Sequence, residues 1–151
     1  MSVGGRVMAL RLAPTGVLEV EQIGLTVTPH WRRLEPLLTN LSSCSIVCCG
    51  PLGSGKSTTA AALVRYLSKN EDAEVVSAEY PVEFLQDTVT QVTSPDAAGY
   101  EDAYQSALSL HPNALFLSTV EPGTYIWDAY GKEWGRTVLA CVNAADAIDA
   151  L

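Results

Sequence analysis

Residues Gly50-Pro51-Leu52-Gly53-Ser54-Gly55-Lys56-Ser57 fit the pattern G-x-x-x-x-G-K-[ST], between an apolar run, Ser45 to Cys49, and a helical pattern that begins at Lys56. No other stretch constrains the fold as much, because a strand must feed a tight glycine turn and a helix must leave it at once. In such a loop backbone N–H groups turn inward around phosphates, Lys56 reaches the outer phosphates, and the Ser57 hydroxyl can ligate a bound Mg²⁺. Gly50, Pro51, Leu52, Gly53, Ser54, Gly55, Lys56, Ser57 and Thr58 are therefore the candidate nucleotide-binding residues, with Ser57 the candidate metal ligand.

A chain of 151 residues with 48% hydrophobic composition suits one domain with a sizeable core. Seventeen acidic against nine basic residues give a formal charge of −8, which repels phosphate backbones except where local donors overcome the field. Nucleic acid is not an expected partner. The longest apolar runs, Ile46 to Cys49 and Ala114 to Leu117, are far short of the roughly 20 residues that cross a bilayer, so no transmembrane segment is expected. The start, Met1 to Arg6, has no long apolar core behind its basic residue, and no secretory signal is expected. Cys44, Cys48, Cys49 and Cys141 contain no C-x-x-C pair; Cys48, Cys49 and Cys141 read as small buried hydrophobes in a reducing compartment.

Along the chain, Gly5 to Leu12 reads as a strand, broken by Pro14-Thr15-Gly16. Thr28-Pro29 reads as a helix start, with Trp31, Leu34, Leu37, Leu38 and Leu41 on one face and Pro36 bending or interrupting it. Ser45 to Cys49 is the strand before the loop, and the helix after it turns Leu63, Tyr66 and Leu67 toward a sheet. Glu74 to Glu79 is a strand ended by Tyr80-Pro81, and Thr88 to Thr93 a short extended piece. A helix over Asp96 to His111, a strand over Ala114 to Thr119, a short helix over Glu121 to Trp134 and a strand over Arg136 to Val142 follow, with Asn143 capping a last helix. Alternating strands and helices predict a parallel sheet covered on both faces, with ligands at the carboxyl ends of its strands.

The order Gly-Pro-Leu-Gly-Ser-Gly-Lys-Ser-Thr-Thr (50 to 59), then Glu79-Tyr80-Pro81-Val82-Glu83-Phe84, resembles the hexameric ATPases of type II secretion and of type IV pilus assembly and retraction. That family carries G-P-T-G-S-G-K-[ST]-T-T followed by E-D-P-[VI]-E-[FY]. Pro112-Asn113-Ala114-Leu115-Phe116-Leu117 resembles its Walker B strand, and Gly135-Arg136-Thr137-Val138-Leu139 the strand before its histidine motif. The resemblance implies an α/β fold: a P-loop NTPase (RecA-like) core with a mostly parallel sheet flanked by helices, truncated at the C-terminus. Residues 1–24 would be a remnant strand and linker resembling the end of the family's N-terminal domain, and residues 25–151 an incomplete ATPase core. It also implies ATP and Mg²⁺ as ligands, a cytoplasmic location peripheral to the inner membrane, and secretion or pilus machinery as partners in a homo- or hetero-oligomeric ring.

The departures fall on the hydrolytic half. By resemblance Glu83 is the glutamate that orients or activates the attacking water, but Tyr80 stands where the family has aspartate. Ser118-Thr119-Val120-Glu121-Pro122 replaces G-E-[MI]-R-D, removing a carboxylate and an arginine. If the strand keeps its period of two, Thr119 and Glu121 share a face and Glu121 becomes a second catalytic candidate; Pro122 and Gly123 favour a surface or capping role instead. Asn143 replaces the motif histidine and cannot carry a proton at neutral pH. The expectation is an ATP-binding relative of the motor ATPases whose hydrolysis is weak or lost. A non-catalytic nucleotide-binding subunit of such a ring and a small P-loop kinase are the alternatives.

Overall fold

The computed structural model describes residues 16–41, 43–96, 98–120 and 136–143. Their elements, in chain order, are α1 (Trp31–Thr39), β1 (Cys44–Gly50), α2 (Lys56–Leu67), β2 (Val75–Glu79), β3 (Thr90–Thr93), α3 (Tyr100–Ser109), β4 (Ala114–Val120) and β5 (Thr137–Asn143). The strands form one sheet in the order β1-β5-β4-β2-β3, and every neighbouring pair is parallel. All five carboxyl ends therefore lie along one edge. The expected strand Gly5 to Leu12, the helix over Glu121 to Trp134 and the helix beyond Asn143 lie outside the described residues.

The central strands are nearly continuous apolar runs because both of their faces are buried. On one face Val75, Ala114, Phe116, Leu139 and Cys141 pack under Ala60, Leu63, Val64 and Leu67 of α2, with Trp31 and Leu38 of α1 behind. On the other, Val76, Ala78, Leu115, Leu117, Val138, Ala140 and Val142 meet Tyr104 and Ala107 of α3. Trp31 and Tyr66 join α1 to α2 edge to face, ring centroids 5.0 Å apart.

Four expectations change. α1 begins at Trp31 rather than at Thr28-Pro29, because Thr28 is used in a turn: its hydroxyl donates to the Leu25 carbonyl and its own carbonyl accepts from the Trp31 N–H. Pro36 lies inside α1 without ending it, since the ladder closes beyond it through the Asn40 N–H to the Pro36 carbonyl. Among the described residues the sheet is covered on both faces only over its middle. α3 spans β2, β3 and β4, so Ser45, Val47 and Cys49 on that face of β1 stay exposed, and Cys49 is not the buried hydrophobe expected. Finally, β4 does not keep its period of two. Leu117 pairs with Ala140 and Val120 with Val142, so Ser118 and Thr119 together oppose Cys141 in a bulge.

Among the described residues no helix is long and apolar enough to cross a membrane. Leu63, fully buried between α2 and the sheet, tests the packing. Leu63→Ala is expected to lower unfolding free energy by about 2–5 kcal/mol, read as a fall in the urea midpoint at constant slope.

Candidate functional site

β1 delivers Gly50 to the carboxyl edge of the sheet, and α2 starts six residues later at Lys56. The turn between them requires glycine at Gly53 and Gly55, whose φ values of +79° and +89° are rarely open to residues with a side chain. Gly55 stands immediately before the helix in the left-handed conformation, and its carbonyl accepts the first helical bond, from the Thr59 N–H at 2.9 Å. The N–H groups of Lys56, Ser57 and Thr58 thus precede the helical ladder and point out of the positive end of α2. The Lys56 ammonium lies across the loop, donating to the Pro51 carbonyl at 2.8 Å. Ser57 and Thr58 are half-buried beside it.

The loop forms one side of a cleft of about 340 Å³, lined also by Glu79, Tyr80, Glu83, Phe84, Gln86, Ser118, Thr119, Cys141 and Asn143. These come from the ends of β2, β4 and β5 and from the segment after β2, which parallel pairing brings to the same edge. Asn143 is level with Gly50 in the β1–β5 register, beside the loop's first glycine.

Glu79 is the buried charge of this cleft, at 4% exposure. Its Oε1 accepts from the Ser77 hydroxyl at 2.7 Å and from Gln91 Nε2 at 2.8 Å. Burial pushes its carboxyl above the usual range, while these two donors and the Glu83 backbone N–H pull it back down. Cys141, in the floor, is pushed up to about 12, chiefly by burial, so its thiol stays neutral.

Of the residues singled out in the sequence, Lys56, Ser57, Thr58, Glu83, Thr119 and Asn143 line this one cleft, as do Leu52, Gly53 and Gly55 of the loop; Glu121 lies outside the described residues. The bulge turns Thr119 to the cleft, and the Ser118 hydroxyl accepts the Tyr80 N–H at 3.0 Å, locking β4 to the turn after β2. Sequence reading missed Gln86 and Gln91. The only available signal for Gln91 was a polar residue in the middle of a short strand.

The whole chain, residues 1–151, matches the type II/IV secretion system protein family, and it belongs to that family. It is 32% identical over 151 residues to the uncharacterized protein YggR of Escherichia coli, covering 95% of this chain and 44% of that protein. It is 29% identical over 112 residues to the type IV pilus retraction ATPase PilT of Pseudomonas aeruginosa, covering 71% of this chain and 31% of that one. Among solved structures, the pilus retraction motor PilT with bound ADP matches with a TM-score of 0.71 at 23% identity, over 92% of this chain and 40% of that chain. The Legionella pneumophila ATPase DotB matches with a TM-score of 0.68 at 20% identity, over 92% and 39%. At those identities the two structures speak to the fold, a P-loop NTPase core of the RecA-like kind. The chain spans less than half the length of these curated relatives. The family assignment gives the small-kinase reading no support.

The donor set fits a triphosphate: three helix-start amides, an ammonium and a hydroxyl converge on one cleft mouth. A Mg²⁺ of the kind held by one hydroxyl and phosphate oxygens would meet the Ser57 hydroxyl at this cleft; among the described residues no group of three or more His, Cys, Asp or Glu could hold a metal alone.

Glu79 allows a test by pH. Its folded pKa lies above the ordinary 4.5, so between that value and the folded one the native state binds more protons than the unfolded state. Stability from this group is therefore greatest below pH 4.5, falls as pH rises through the window, and levels off above it. Glu79→Gln is expected to remove that slope, so the variant gains on the parent as pH rises, in urea midpoints measured across the range. A difference curve that is flat or slopes the other way refutes the assignment.

Proposed function

We propose that the cleft binds Mg-ATP and that the chain is a nucleotide-binding relative of the secretion and pilus motor ATPases with weak or lost hydrolysis. One observation carries this reading: the intact phosphate loop faces Thr119 and Asn143 across the same cleft, where the pattern of those ATPases has a carboxylate and an imidazole. Residues 25–151 are read as the ATPase core.

Binding and splitting place different demands on the site. Holding the triphosphate needs donors, and the N–H groups of Leu52, Gly53 and Gly55 to Thr58 with the Lys56 ammonium would provide them. Ser57 would hold the metal, which when bound supplies positive charge to the phosphate oxygens. Splitting also needs a placed water and polarised groups. Glu83, which lines the cleft with Glu79, would orient that water. Thr119 can hold a water but adds no negative charge, and Asn143 can hydrogen-bond but cannot shuttle a proton.

A second reading, a non-catalytic subunit that joins a ring of active relatives, draws on the rim. Leu52, on the loop, is 85% exposed, and Leu85, between the cleft residues Phe84 and Gln86, is 68% exposed. Apolar groups beside a ligand mouth suit a surface that another subunit covers. On either reading the partners are secretion or pilus machinery at the cytoplasmic side of the inner membrane.

Equilibrium binding and phosphate release separate the parts of the proposal. Lys56→Ala is expected to weaken ATP binding by about 1.5–3 kcal/mol, about ten- to a hundredfold in Kd. The parent chain is expected to release phosphate no faster than Lys56→Ala. Release well above that variant overturns the weak-turnover reading and leaves binding intact; ATP binding indifferent to Lys56→Ala overturns the site itself.

A further inference from the structure

The acidic side of the cleft is organised by a residue that belongs to no motif. Gln91 lies level with Ser77 in the β2–β3 register, so both side chains meet Glu79 on one face. Its amide makes three bonds: Nε2 donates to Glu79 Oε1 at 2.8 Å and to the Phe84 carbonyl at 2.9 Å, and Oε1 accepts the Gln86 N–H at 3.1 Å. Glu83 sits inside this bracket. Its backbone N–H lowers the Glu79 pKa, and the next residue's carbonyl is held by Gln91.

β3 is the short edge strand that carries Gln91. It has four residues, its two outer ones exposed, and among the described residues it pairs with β2 alone. Val92 faces the α3 side, and the alternation of a strand then turns Gln91 to the cleft side. Gln86, whose N–H the same bracket holds, is 7% exposed and lines the cleft.

Resting on the reading of this cleft as a nucleotide site, we propose that Gln91 is a positioning residue for Glu83. Its amide holds the segment from Tyr80 to Gln86 so that Glu83 faces the phosphate loop, and it does so without touching the ligand. The chemistry is specific to glutamine at this position. Asparagine is one methylene too short to span the three partners, and glutamate loses both donors and sets a second carboxylate against Glu79.

Amide hydrogen exchange on the ligand-free chain, with ATP titrations beside it, tests this. Gln91→Ala is expected to lower protection of the amides in 82–86 by about tenfold, as two net hydrogen bonds to this segment are lost. Protection in α2 and β4 stays unchanged, and ATP affinity stays within about threefold of the parent. Gln91→Glu is expected to show the same loosening at about pH 8 and to recover toward the parent at about pH 4, where the carboxyl is mostly protonated and regains one O–H donor. The titratable groups coupled to Glu79 are Glu83 on the same segment, Tyr100 from α3 and Cys141 from β5. Tyr100 and Cys141 are each pushed up to about 12, so only carboxyls change charge in that interval. Unchanged protection in Gln91→Ala, loss spread equally over α2 and β4, or a pH-independent Gln91→Glu overturns the proposal. ATP that protects no phosphate-loop amide in the parent overturns the nucleotide reading instead, and the two failures are distinct because the bracket is read without ligand.

Discussion

Parallel pairing of β5 between β1 and β4 is the constraint on which the rest depends. Parallel strands need crossovers, and each crossover returns the chain to the far end, so every carboxyl end reaches the same edge. Glycine turn, Asn143, the Ser118–Thr119 bulge and Glu79 are far apart in sequence, yet the register sets them around one cleft. Apolar burial enforces that register. A slip of one residue in β4 would exchange Phe116 for Leu115 and Leu117 between the α2 and α3 faces and disturb both cores at once.

The polar residues within this apolar frame sit only where partners meet them. Glu79 is buried at the last position of β2, and its desolvation is offset by donors from its own strand, from β3 and from the segment that follows. The arrangement is asymmetric in charge. The phosphate loop brings one ammonium and backbone dipoles, and the facing side brings two carboxylates with neutral Thr119 and Asn143 beside them. Donors suffice to bind an anion, while transfer of a phosphoryl group also asks for charge placed around the moving group. A site can lose the second property without disturbing the first, because the groups responsible hang from different strands.

Much of this was legible in the residues themselves. The loop was readable because glycine spacing, a lysine and a hydroxyl each have a fixed mechanical part, and β2, β4 and β5 because doubly buried strands are runs of Val, Leu and Ala. What escaped depends on neighbours. The Ser118–Thr119 bulge carries no glycine or proline to announce it and arises from the mismatch between β4 and β5. Cys48 and Cys49 look alike in sequence, but Cys48 faces α2 and Cys49 the side of β1 that α3 does not reach. Gln91 was invisible because a glutamine in a threonine-rich strand has no chemistry until Glu79, Phe84 and Gln86 surround it.

The two sides of the cleft are thus held by different forces, with consequences for how they respond. The phosphate loop continues into α2, whose residues Ala60 to Val64 and Leu67 are buried against the sheet, so its geometry follows an apolar anchor indifferent to pH and weakly sensitive to salt. Among the described residues the Glu83 segment is held largely by hydrogen bonds, from the Tyr80 N–H to Ser118, from Gln91 to the Phe84 carbonyl and the Gln86 N–H, and from the Val89 N–H to the Gln86 carbonyl, with Leu85 exposed between them. Hydrogen bonds of that kind are individually worth about 1 kcal/mol, so this side can be repositioned by a ligand or a neighbouring subunit at a cost the apolar side would not permit. Changes in occupancy or protonation should therefore act first on where Glu83 stands, leaving the grip on phosphate as it was.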